Sequence, residues 1–109
     1  MSLQDLYATD NSWCRGACAK DKDGKTVPSD SKAAVQWCPI GALLRVYGGG
    51  MDEYCEGGRA QKNLVAAIKD LWPKEWEASS NGTGSQLATW NDKYGSLAKV
   101  RKAAKAARV

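Results

Sequence analysis

Between Pro39 and Pro73 the apolar residues fall on two helical stripes, and these constrain the fold more than any other feature of the sequence. Ile40, Leu43, Leu44 and Tyr47 recur at i, i+3, i+4 and i+7, the spacing that lines one face of an α-helix. Pro39 suits the first position of that helix because its fixed φ is already helical and its missing N–H would have no partner there. The same ring biases Cys38 towards extended backbone, so the chain breaks at Cys38. Gly48-Gly49-Gly50 ends the helix. Leu64, Val65, Ile68, Leu71 and Trp72 draw a second stripe over Arg59 to Trp72, which Pro73 stops. Two such faces must be buried, and burying each against the other predicts a mainly α fold with these helices at its centre.

The remaining elements are short. Ser2 to Thr9 predicts one frayed turn around Leu3, Leu6 and Tyr7, too short to stand without docking. Asp23-Gly24 supplies the positive φ of a tight reversal, so a small hairpin is expected between Trp13–Ala19 and Lys25–Pro28. Ser31 to Trp37 predicts a helix capped by Ser29, Asp30 or Ser31. Met51 to Glu56 and Lys74 to Ala78 predict single turns, and Ser79 to Gly84 a loop. Ser85 caps a helix bearing Leu87 and Trp90, and Ser96 caps the last, with Leu97, Val100, Ala104 and Ala107 inward. The expected architecture is mainly α, with α+β as the variant. It is a compact bundle of four or five short helices with a small N-terminal β-hairpin, forming one globular domain over residues 1–109.

The chain has five Trp and four Tyr but no Phe. Indole and phenol rings carry a polar group, so they are expected at the edge of the core, where the N–H or O–H finds a partner. Trp13, Trp37, Trp72 and Trp90 are expected to close it.

Histidine is absent. Hydrolases of the usual triad type lose their general base, and zinc sites containing histidine are excluded. No leader-like segment opens the sequence and no apolar run reaches the roughly twenty residues that span a bilayer. The expectation is a cytoplasmic chain with no membrane association, in which Cys14, Cys18, Cys38 and Cys55 are free thiols. Their spacing provides no second knuckle for a tetrathiolate site, so neither a metal nor a cofactor is expected.

Three groups of residues are candidates for function. Cys38 precedes a helix start, where unpaired N–H groups and the helix dipole favour a thiolate. The commoner role of such a residue is that of a small buried hydrophobe. Trp37, Cys38, Trp90, Asn91 and Asp92 together are the candidates for a ligand pocket, although Asn91-Asp92 also serves to end and cap neighbouring helices. Lys99, Arg101, Lys102, Lys105 and Arg108 form a basic C-terminal helix without an acid, in which the chain's net charge of +4 resides. Such a helix can engage nucleic-acid phosphates or can simply be a solvated face.

Four signatures follow one another along the chain: Trp13-x-x-Gly16-Ala17, Asp23-Gly24, Trp37-Cys38-Pro39-Ile40-Gly41-Ala42-Leu43 and Trp90-Asn91-Asp92. In this order, from Trp13 to Ala107, the chain resembles an uncharacterised family of small bacterial and bacteriophage proteins that closes on an alanine-containing helix. The resemblance implies a shared fold and no reaction. The chain departs from the family pattern in a shorter leading helix and in Lys99, which stands where an acid would complete a capping box with Ser96. The expected function is that of a non-enzymatic binding or accessory protein acting on a protein partner. Association with nucleic acid through the basic helix is the first alternative. A small-ligand-binding protein or enzyme with a pocket near Cys38 and Asn91-Asp92 is the second.

Overall fold

A computed structural model describes residues 1–48, 56–80 and 85–109. Gly49 and Gly50, all but Glu56 of the turn expected over Met51 to Glu56, Cys55 among them, and most of the Ser79–Gly84 loop lie outside the described residues. Among those described, the order is α1 (Leu3–Leu6), β1 (Ala19–Lys20), β2 (Gln36–Trp37), α2 (Pro39–Tyr47), α3 (Glu56–Leu71), α4 (Pro73–Ala78), α5 (Gln86–Tyr94) and α6 (Leu97–Ala107).

The two striped helices meet as their spacing predicts. α2 packs on α3, and among the described residues α3 packs most extensively on α6. Leu43 and Ile68 are fully enclosed at the centre with Leu64, Trp90, Val100 and Ala103 around them. The proline and serine signals set the helix ends. Pro39 and Pro73 open α2 and α4, Gly48 closes α2 at φ +81°, and Ser85 and Ser96 cap α5 and α6 through their hydroxyls. α1 is stabilised by a capping box, in which the Ser2 hydroxyl accepts from Asp5 N and the Asp5 carboxylate accepts from Ser2 N. Its Leu3, Leu6 and Tyr7 are buried, which supplies the docking that so short a helix needs.

One expectation is corrected. Ser31–Trp37 is not a helix: one turn at Ser31 leads into β2, which pairs antiparallel with β1 in the register Ala19–Trp37 and Lys20–Gln36. The amides are drawn to distant carbonyls instead, with Val35 N donating to Lys20 O at 2.9 Å and Trp37 N to Ser12 O at 2.8 Å. Pro39 reinforces this, since Cys38 before it is extended (φ −75°, ψ 168°) and continues the strand. The Asp23-Gly24 reversal forms where expected, with Gly24 at φ +80° and a single bridge from Lys20 to Thr26. The Lys25–Pro28 segment lies along one edge of β1, Asp21 N donating to Lys25 O at 2.9 Å and Val27 N to Ala19 O at 3.1 Å, and β2 pairs with the other edge.

Three of the five tryptophans sit at the edge of the core and two lie within it. Trp37 and Trp90 are buried, whereas Trp13, Trp72 and Trp76 are half-buried against the core. Trp13, Trp37 and Trp90 donate their indole N–H groups to Asn91, Ser29 O and Glu75 respectively.

Candidate functional site

Three of the four signatures meet, those at Trp13–Ala17, Trp37–Leu43 and Trp90–Asp92, while Asp23-Gly24 bonds within its own turn. The antiparallel ribbon delivers Cys18 to the start of α2, where Cys38 N donates to Cys18 O at 3.1 Å. Gly41 is required at this contact, because a Cβ there would lie 1.8 Å from Cys18 O. Cys38 caps α2, its sulfur accepting from Gly41 N at 3.4 Å. From the other side α5 holds the Trp13–Gly16 loop. Asn91 Oδ1 accepts from Trp13 Nε1 at 2.7 Å, Asn91 Nδ2 donates to Cys14 O at 3.1 Å, and Asp92 Oδ1 accepts from Gly16 N at 3.0 Å. Between these elements lies a cleft of about 210 Å³ bordered by Cys18, Cys38, Ile40, Ala88, Asn91 and Asp92.

Three of the five pocket candidates, Cys38, Asn91 and Asp92, thus share one cleft. Trp37 and Trp90 do not border it. Trp37 forms the floor of a separate cleft, and Trp90 stacks on Trp72 with ring centroids 5.6 Å apart and donates to Glu75.

The chemistry available in the shared cleft is limited by how its polar groups are occupied. Asn91 is fully buried and its amide is committed to two partners. Removing it would strand an indole N–H and a carbonyl, so its role is to fasten the loop. The Cys38 thiol is pushed up to about 12, mainly by burial, with the Gly41 N–H opposing and the nearby Cys18 and Cys14 thiols adding to the rise. Desolvation outweighs the helix terminus here, and the thiol keeps its proton at neutral pH. Burial likewise raises Cys14. Among the described residues no group of three or more Cys, Asp or Glu is placed to hold a metal ion.

The basic helix is divided in use. Lys99 Nζ bonds both carboxylate oxygens of Glu75 at 2.8 Å and lies 5.3 Å from the Trp72 ring centre. Arg101 donates to the carbonyls of Tyr7 and Ala8 and pairs with Asp10. Lys102, Lys105 and Arg108 are exposed, and Arg108 ends α6 in the left-handed conformation at φ 58°. Glu75 was not singled out by sequence reasoning. Its partners Trp90 and Lys99 lie 15 and 24 residues away, and no spacing rule links them.

A second cleft, about 300 Å³, opens over the ribbon. Its floor includes Leu6, Ala34 and Trp37, and Met1 and Val35 stand at its rim. These two are the exposed large hydrophobic residues among those described, at 72% and 45% exposure. Neither stood out in the sequence, since a single Met or Val carries no surface signal until the fold is known.

Fold and site define a small, mainly helical domain whose signature residues fasten an N-terminal ribbon and loop to two helices. The chain belongs to a family of unknown function, DUF6197, which it matches over residues 5–108. No curated protein and no solved structure matches it. Among the described residues no helix is long and apolar enough to cross a membrane.

Proposed function

We propose that this is a non-enzymatic binding or accessory protein of a bacterium or bacteriophage, acting in the cytoplasm by docking a protein partner. The observation that carries the reading is the second cleft, where the two exposed large hydrophobic side chains, Met1 and Val35, flank an apolar floor around Trp37. Isolated apolar residues on a surface need no explanation, but here five apolar residues share one cleft with Asp5, Thr9 and Ser12, a mixture of apolar surface and polar groups that suits a partner's side chain. The occupancy of the other candidates supports the same reading: Asn91 is consumed by internal bonds, Cys38 is protonated, and Lys99 and Arg101 are tied to the fold.

The test compares affinity capture from the native host by the wild-type chain, a Val35→Glu variant and a Lys102→Glu/Lys105→Glu variant. Val35 is exposed, so its replacement should leave the fold intact. A protein retained by the wild type and by the lysine variant but lost with Val35→Glu is the expected result. Retention of DNA or RNA that falls steeply with salt and disappears in the lysine variant would replace this reading with nucleic-acid binding.

A further inference from the structure

We propose that Cys18 and Cys38 form an oxidant-responsive dithiol, in which the Cys18 sulfur is oxidised by a peroxide and Cys38 then closes a cross-strand disulfide onto it. The geometry follows from the ribbon register. Ala19 stands opposite Trp37 and Lys20 opposite Gln36, so the next pair outward is Cys18 and Cys38. Their backbones are joined at that position, Cys38 N donating to Cys18 O at 3.1 Å. Opposed residues of an antiparallel pair have Cα atoms about 4.5–5.5 Å apart and side chains on one face of the ribbon. That separation lies inside the range of roughly 4.4–6.8 Å that a disulfide bridges. Both residues also border the same 210 Å³ cleft.

The two thiols differ in access, which sets the order of the steps. Both are free; Cys18 is exposed to a dissolved oxidant, whereas Cys38 is buried behind it. The third described thiol, Cys14, is buried and donates to Ala17 O at 3.5 Å, which turns it into its own loop. In the first step the Cys18 sulfur takes the terminal oxygen of the peroxide, giving a sulfenic acid and releasing water or an alcohol. In the second the Cys38 thiol displaces that hydroxyl, its proton passing to the departing oxygen, so that the S–S bond forms and water leaves. Two thiols lose two electrons and one peroxide gains them. Closing the bridge draws the Cys38 sulfur away from the Gly41 N–H and ties the ribbon covalently to the start of α2.

The full reduced chain is treated with hydrogen peroxide, blocked with an alkylating agent and digested with trypsin without reduction. Cleavage after Arg15, Lys20, Lys32 and Arg45 places Cys14, Cys18 and Cys38 on separate peptides, so each pairing has its own mass. The expected product is the Cys18 peptide linked to the Cys38 peptide. It should vanish in Cys18→Ser, while in Cys38→Ser the Cys18 sulfenic acid should persist and be trapped by dimedone. A circular dichroism spectrum of each variant confirms that the helices are retained. A link from Cys14 or Cys55 to either residue, or over-oxidation of Cys18 in the wild type without any link, overturns the proposal.

Discussion

Gly41→Ala separates two physical effects by their sign. Gly41 is the third residue of α2 and lies in ordinary helical backbone. On helix propensity alone alanine should stabilise the protein by about 1 kcal/mol. The structure demands the opposite, because the new methyl would sit 1.8 Å from Cys18 O and 2.6 Å from its carbon. Backbone is what must move, by more than an ångström, and it is held there by the bond from Cys38 N. Overpacking of this kind costs about 1–3 kcal/mol. The strained or broken hydrogen bond adds about 1 kcal/mol. Set against the propensity gain, the net loss is roughly 2 kcal/mol, which for a domain of this size lowers Tm by roughly 10 °C. Urea unfolding followed by tryptophan fluorescence, with a parallel thermal scan, measures it. An unchanged or raised midpoint would refute the close approach of the ribbon to α2.

Three further outcomes are expected. Leu43→Ala or Ile68→Ala, each made at a fully enclosed position, should cost about 2–5 kcal/mol in chemical denaturation; near-neutral values at both would mean that the core lies elsewhere. Asn91→Leu should cost roughly 2–4 kcal/mol by stranding Trp13 Nε1 and Cys14 O, and the unfolding midpoint checks this. Stability should also fall in alkali. Burial raises Cys38 to about 12 and lifts Tyr7 well above its ordinary value, so above pH 9 the unfolded chain releases protons that the folded one retains. Cys38 alone contributes a loss of roughly 1.4 kcal/mol per pH unit between about 9 and 12. Urea midpoints at pH 8 and pH 10.5 should differ in that direction, and by less in Cys38→Ala.

What the sequence disclosed was what depends on near neighbours. The stripes of α2 and α3, the prolines that open helices and the serines that cap them act within a turn or two, and each was legible. Ser31–Trp37 was not, because its amides bond to Ser12 and Lys20, and that competition is invisible to a rule that looks only along the segment. The same limit applies to the site. Cys38 and Asn91-Asp92 were recognisable as unusual neighbours, yet whether they react or fasten depends on burial, which only packing sets. The Lys99–Glu75 pair could not be anticipated at all, since it joins α6 to α4 across the tryptophan stack. Even the missing acid three residues after Ser96 acquires a reason there: Lys99 forgoes a capping box to reach Glu75 instead.

The bond from Trp13 to Asn91 closes a stretch of 78 residues. Holding together such remote parts of a chain is entropically expensive until the segments between them are in place. The helices can therefore assemble first, and the N-terminal arm can be latched only afterwards. Weakening that latch should leave the speed of refolding nearly untouched and let the molecule come apart sooner, as expected of a fastening made after the barrier has been crossed.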